Sequence, residues 1–66
     1  MNIYQLLWMS KEYEGMTAIG IADDWKKLVK YVKKTYDPID RHVIVLEATK
    51  TNLERAKREG QLIIEL

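Results

Sequence analysis

His42 is the only imidazole in the sequence, and it follows Asp40 and Arg41 in a polar stretch that also contains Asp37. An imidazole beside a carboxylate can act as an acid–base pair, and the same groups can bind a metal ion. A metal site needs several converging ligands, however, and polar residues are typical of a turn that leads into a strand. The sequence therefore favours a structural role for His42, and we expect no catalytic residue, metal ligand or small-molecule cofactor.

Glu12 and Glu14 alternate around Tyr13 in a second polar stretch, where two carboxylates could meet a cation if the chain stays extended. A solvated hairpin loop explains the same residues without a ligand. The glycines match no phosphate-binding motif, and Gly20 within an apolar run indicates a bulge or the close approach of a helix. We therefore predict structural roles for the two glutamates and the glycines.

Five lysines between Trp25 and Tyr36 form a cationic stripe with no acidic residue among them: Lys26, Lys27, Lys30, Lys33 and Lys34. Such a stripe can contact the phosphates of a nucleic acid, although a solvated helix face has the same composition. The stretch adds Tyr31 as a stacking side chain but no Arg, Asn or Gln that could read base edges. Nucleic-acid binding is therefore the alternative function, behind protein binding.

The amino-terminal half predicts a β-hairpin followed by a helix. The apolar runs at residues 2–9 and 16–22 flank a polar loop, as in an antiparallel hairpin. A helix is expected from about Asp24 to Tyr36, because a carboxylate favours a helix start and the apolar residues recur on one helical face. Asp37–Pro38 ends this helix.

The carboxy-terminal half predicts a strand, a short helix and a last strand. The β-branched run Val43–Leu46 is typical of a strand, and its apolar character favours a central position in the sheet. Thr51 and Glu54 form a capping-box pattern that starts a helix, and Gly60 ends it. Residues 61–66 form the last predicted strand.

These elements give the order ββαβαβ, which predicts one small α+β domain over residues 1–66. The expected sheet has four strands, antiparallel or mixed, with the two helices mainly on one face. A right-handed crossover through the first helix places the third strand beside the first and antiparallel to it. The position of the last strand stays open.

The first strand is apolar on both sides, with Ile3 and Leu7 on one face and Tyr4, Leu6 and Trp8 on the other. Two short helices can hide only part of this surface, so the sequence predicts that Tyr4, Leu6 and Trp8 form an open aromatic patch for a partner. The patch would bind a second copy, as a homodimer, or a different protein. The alternative is that these side chains belong to the core and that the face carrying Ile3 is partly exposed to solvent.

Composition excludes several classes of protein. The chain has 66 residues, no cysteine and a formal net charge of +1, so a disulfide framework and a thiolate zinc site are excluded. A domain this small has little room for a deep substrate pocket, and its near-neutral charge requires no anionic partner. The amino terminus lacks a secretory signal pattern and no apolar stretch is long enough to cross a membrane, so a cytoplasmic protein is expected.

The amino-terminal half resembles a family of short bacterial and phage domains of unknown function. The resemblance covers residues 3–32 and is carried by Tyr4-Gln5-Leu6, Glu12-Tyr13-Glu14-Gly15 and Ile19-Gly20-Ile21-Ala22 before a helix. Family members have a longer loop after the helix and lack the second helix. The resemblance implies a small accessory or regulatory protein without catalytic residues. Sequence and resemblance together predict a non-enzymatic interaction module.

Overall fold

The computed structural model describes residues 1–12 and 14–66, so Tyr13 of the predicted loop lies outside the described residues. The strands are β1 (Asn2–Trp8), β2 (Met16–Ala22), β3 (Val43–Glu47) and β4 (Leu62–Glu65). The helices are α1 (Trp25–Tyr36) and α2 (Lys50–Glu59), and a 3-10 turn at Ile39–Arg41 joins α1 to β3. The small α+β domain and the ββαβαβ order predicted from the sequence are confirmed.

The four strands form one mixed sheet in the order β3-β1-β2-β4. β1 is antiparallel to both β2 and β3, and β4 is parallel to β2. The predicted neighbours of β1 are therefore confirmed, and β4 takes the outer side of β2. The prediction of a central third strand is wrong, because β3 pairs only with β1 and forms one edge of the sheet.

α1 begins at a carboxylate cap and ends at a left-handed residue. The Asp24 side chain accepts a hydrogen bond of 2.9 Å from the backbone N–H of Lys26, which satisfies one of the free amides of the first turn. Asp23 pairs with Lys27 at 3.1 Å, and Asp37 ends the helix with a φ of 45°. The predicted bounds of this helix are confirmed to within one residue.

The cap of α2 lies two residues earlier than predicted, at Thr49. The Thr49 hydroxyl accepts a hydrogen bond from the Asn52 N–H at 3.2 Å, and the Asn52 side chain accepts one from the Thr49 N–H at 2.8 Å. The prediction that Thr51 and Glu54 form the capping box is wrong, because the amide of Asn52 replaces the expected glutamate. Gly60 ends the helix with a φ of 71°, as predicted.

α1 packs closely on one face of the sheet, which we call the α1 face. A Cβ atom at Gly20 would lie 2.7 Å from Cδ1 of Leu28 and 3.0 Å from Cδ1 of Leu6. Glycine therefore lets Leu28, which is fully buried, approach the centre of the sheet. The predicted helix contact at Gly20 is confirmed. The cluster on this face contains Leu6, Trp8, Ala18, Ala22, Leu28, Val32 and Ile64.

α2 lies against the opposite face, which we call the α2 face. Ile19 and Ile21 point away from the α1 cluster and are nonetheless 1% and 8% exposed, and α2 contacts both β2 and β4. The two crossover connections explain this arrangement. The connection from β2 to β3 through α1 and the connection from β3 to β4 through α2 run in opposite directions across the sheet. Right-handed crossovers in opposite directions place their helices on opposite faces. The sequence predicted both helices mainly on one face; the structure divides them between the two.

Candidate protein-interaction surface

The predicted partner-binding residues Tyr4, Leu6 and Trp8 share one face, as the alternation of β1 requires, but that face is the α1 face. Leu6 is 0% and Trp8 is 4% exposed, and Tyr4 is half-buried against the same cluster. The prediction that these three side chains form an open patch is therefore wrong. The alternative stated from the sequence, that they are core, describes the structure.

Trp8 is held in the core by an aromatic contact with the last turn of α1. The ring centroids of Trp8 and Tyr36 are 5.3 Å apart, and the planes are tilted by 37°. Tyr36 in turn meets Tyr31 edge-on at 6.4 Å. Such offset and edge-on pairs are favourable geometries for aromatic rings, so the aromatic residues of β1 and α1 stabilise each other instead of a partner.

An exposed aliphatic surface lies on the other side of the sheet. α2 covers the β2–β4 half of the α2 face, and Ile44 and Leu46 on β3 remain 46% and 54% exposed. Their neighbours across the strand pair are Leu7 and Gln5, and Ile3 continues the row along β1. We call Ile3, Leu7, Ile44 and Leu46 the uncovered half. The uncovered half is the largest difference between the predicted and the observed interaction surface.

The uncovered half continues into a depression at one end of the sheet. Leu7, Met9, Ile39 and Ile44 line this depression, which has a volume of about 260 Å³. Met9 and Ile39 are exposed, and the backbone N–H of Ile39 donates a 3.0 Å hydrogen bond to the carbonyl oxygen of Met9. The 3-10 turn is thereby fixed to the end of β1, so the depression has a defined apolar wall.

A polar pair separates the covered and uncovered halves of the α2 face. The Gln5 side chain donates hydrogen bonds to the Thr17 hydroxyl and, at 3.3 Å, to the carbonyl oxygen of Ala18. Gln5 lies between Ile19 of the covered half and Leu46 of the uncovered half in the strand register. Because its amide is hydrogen-bonded within the chain, Gln5 can sit beside an apolar contact at a reduced cost of desolvation.

The structure brings four of the five predicted lysines together with an arginine. A shallow groove of about 550 Å³ is lined by Lys26, Lys30, Lys33, Lys34 and Arg41, together with Val29. Lys27 lies outside this groove and pairs with Asp23. Arg41 has a φ of 53°, and the sequence analysis did not connect it with the lysines. We call these five residues the basic groove.

His42 is exposed at the entrance to β3, and Asp37 pairs instead with Lys11 at 3.2 Å. Across residues 1–12 and 14–66, no three His, Cys, Asp or Glu side chains gather in a group that could hold a metal ion. In the same residues, neither α1 nor α2 is long and apolar enough to cross a membrane. The described residues present two candidate surfaces, the aliphatic uncovered half and the cationic basic groove.

Comparison with known proteins adds no relative: no protein-family model, no curated protein and no solved structure matches the chain.

Proposed function

We propose that this chain is a non-enzymatic interaction module that binds a protein partner, or a second copy of itself, through the uncovered half. The observation that carries the proposal is the exposure of Ile44 and Leu46, two neighbouring aliphatic side chains on the α2 face of an edge strand. Exposed apolar surface of this kind, next to a row of partly buried aliphatic residues, is typical of protein association surfaces.

A protein partner fits this surface better than other ligands for a chemical reason. Ile3, Leu7, Ile44 and Leu46 offer aliphatic area without charge, and the β3 edge beside them offers backbone donors and acceptors. A partner that matches both features supplies apolar side chains and an extended backbone, which only a polypeptide combines. On the resemblance of residues 3–32, we extend the proposal to a cytoplasmic accessory protein of a bacterium or phage.

Site-specific photo-crosslinking in cells tests the proposal. A photoreactive benzophenone amino acid replaces Leu46, and a control chain carries it in place of Glu54, which is exposed on α2. We expect one discrete protein adduct from position 46, suppressed when Ile44→Ser is added, and no such adduct from position 54. Equal labelling from both positions, or no protein adduct from position 46, would contradict the proposal.

The second candidate function is nucleic-acid binding through the basic groove. The specific observation in its favour is that Arg41 joins Lys26, Lys30, Lys33 and Lys34 in one depression, which concentrates positive charge beyond the helix stripe alone. Lys30→Gln and Lys34→Gln are the informative variants, and Lys27→Gln is the matched control because Lys27 pairs with Asp23.

Binding of a short single-stranded DNA and a short duplex RNA, measured over a range of salt concentrations, tests this function. If the groove binds phosphates, each groove variant lowers the salt dependence by about one unit of the log–log slope and weakens both ligands alike. Lys27→Gln leaves the slope nearly unchanged. Affinity that is independent of salt, or equal losses in all three variants, would remove this candidate.

A further inference from the structure

The backbone of β3 presents a regular set of unpaired groups along the outer edge of the sheet. The Ala48 N–H donates to the Ile3 carbonyl oxygen at 2.9 Å, which fixes the hydrogen-bonding alternation of the β1–β3 pair. In an antiparallel pair, alternate residues turn both backbone groups toward the partner strand. Ile44 and Leu46 therefore bond to β1, and Val43, Val45 and Glu47 turn their N–H and C=O groups outward.

Nothing in the described chain occupies these outward groups. No hydrogen bond within residues 1–12 and 14–66 accounts for them, and β3 has no strand neighbour other than β1. The strand also carries neither lysine nor proline, residues that commonly protect a sheet edge from further pairing, and its one charged residue is Glu47 at its end. β3 is thus an apolar edge strand that is open to another strand.

We propose that a second copy of this chain pairs with β3 through its own β3, antiparallel and with the register centred on Val45. This inference rests on the proposed function and names its partner. The register places Val45 opposite Val45 and Val43 opposite Glu47 of the second copy. All six outward N–H and C=O groups of each strand are then hydrogen-bonded across a twofold axis.

The side chains agree with this register. Ile44 lies opposite Leu46 of the second copy on the α2 face, so the two most exposed aliphatic residues of β3 cover each other twice. The uncovered halves of the two copies then form one continuous apolar surface across the shared sheet.

Charge also favours the antiparallel direction. Arg41 precedes β3 and Glu47 ends it, so antiparallel pairing brings the basic end of each strand toward the acidic end of the other. A parallel arrangement would instead place Glu47 beside Glu47, where like charges repel. The strand is complementary to itself in hydrogen bonds, in shape and in charge, which favours a second copy over an unrelated strand.

Cysteine pairs test the register directly, because the chain contains no cysteine of its own. In the proposed register, residues 44 and 46 of opposite copies form a non-hydrogen-bonded pair with Cα atoms about 4.5 Å apart, within disulfide range. Like residues, such as 44 and 44, are diagonal neighbours at about 7–8 Å and beyond that range. We expect an equimolar mixture of Ile44→Cys and Leu46→Cys to form a covalent dimer under mild oxidation.

Ile44→Cys alone and Leu46→Cys alone are the matched controls, and each should remain largely monomeric on a non-reducing gel. Val45→Cys alone should dimerise, because residue 45 lies on the twofold axis with Cα atoms about 5.5 Å apart. Crosslinking of Ile44→Cys alone or Leu46→Cys alone that equals crosslinking of their mixture overturns the register.

A proline variant tests the edge itself. Glu47→Pro removes an outward N–H that has no hydrogen-bond partner within a single copy. The fold should therefore tolerate the substitution, as edge strands tolerate proline. We expect sedimentation over a range of concentrations to show a dimer for the parent chain and for Glu47→Ala. For Glu47→Pro, we expect a dissociation constant at least about tenfold higher, because the bonds at this position are lost from both ends of the paired strands.

The outcomes separate this inference from the proposed function. A parent chain that stays monomeric at every concentration overturns the β3 dimer, as does a proline variant that dimerises like the parent. If such a monomer still gives a discrete adduct from position 46 in cells, with a mass other than twice that of the chain, the interaction module stands and its partner is a different protein. A monomer without any adduct removes both proposals.

Discussion

The two faces of the sheet are built from the same strands and differ in how completely they are covered. On the α1 face, Leu6 is fully buried and Leu28 fills the space that Gly20 leaves open. On the α2 face, Ile19 is 1% exposed beneath α2, whereas Leu46, two strands away, is 54% exposed. A strand that is apolar on both sides requires a cover on each face, and the paths of the crossover helices decide where that cover ends.

The largest expected effect is on the free energy of unfolding, when one leucine on each face is replaced by alanine. Leu6→Ala should lower the free energy of unfolding by about 2–5 kcal/mol, because it creates a cavity in a closed core. Leu46→Ala should change it by less than about 0.5 kcal/mol in the monomer, because Leu46 is exposed there. Urea denaturation followed by circular dichroism, at concentrations where sedimentation shows monomers, measures both.

Similar losses for the two leucine variants would contradict the assignment of an open and a closed face. If Leu6→Ala is too unstable to fold, Ile64→Val gives a milder test on the same face, since Ile64 belongs to the same cluster.

The close approach of α1 to its face is tested by two glycine substitutions. Gly20→Ala should lower the free energy of unfolding by about 1–3 kcal/mol, because the added methyl group would overlap Leu28. Gly15→Ala is the control, since a Cβ atom there meets nothing within 4 Å among the described residues and its φ is not positive. Thermal unfolding measures both variants, and equal changes would mean that α1 does not approach this closely.

The partial cover of the α2 face depends on the cap of α2. Thr49→Ala should cost about 1 kcal/mol, because it removes the hydroxyl that accepts from Asn52. Thr51→Ala should stay within about 0.5 kcal/mol, since Thr51 is exposed inside the helix. Urea denaturation of the two variants distinguishes the observed cap from the one predicted from sequence; a larger loss for Thr51→Ala would reverse that assignment.

The smallest expected effect lies at the start of α1. The hydrogen bond and charge of Lys27 lower the pKa of Asp23 below its ordinary value of 3.8. A carboxyl group with a lowered pKa in the folded state contributes stability above its unfolded pKa and loses it as the pH falls through the folded pKa. The difference in stability between the parent and Asp23→Asn should therefore be small at neutral pH and vanish in acid, at pH values below 3.8. A difference that grows in acid, in thermal midpoints measured against pH, would contradict this.

The order of elements could be predicted because each has a local cause. The apolar spacing of α1, the proline at residue 38 and the left-handed Gly60 act within a few residues. The strands that pair with β1 could also be predicted, because a short hairpin and one right-handed crossover leave few possible strand orders.

The face that a side chain occupies could not be predicted in the same way. The strand β3 is apolar on both sides, which is typical of a central strand, and only the pairing of β4 with β2 shows that it is an edge. Once β4 is placed, the second crossover must return across the sheet, which puts α2 opposite α1 and leaves Ile44 and Leu46 uncovered. The open surface therefore depends on a contact between distant parts of the chain, Ile19 with Ile63, that no local pattern encodes.

The twofold symmetry of the β3 contact limits the size of any assembly built on it. An isologous contact uses the same edge of both copies, so no third copy can add at β3. A dimer joined at β3 would carry a β4 at each end of its eight-stranded sheet, and β4 has four residues, one fewer than β3. Growth through β3 would stop at two copies instead of continuing into a filament.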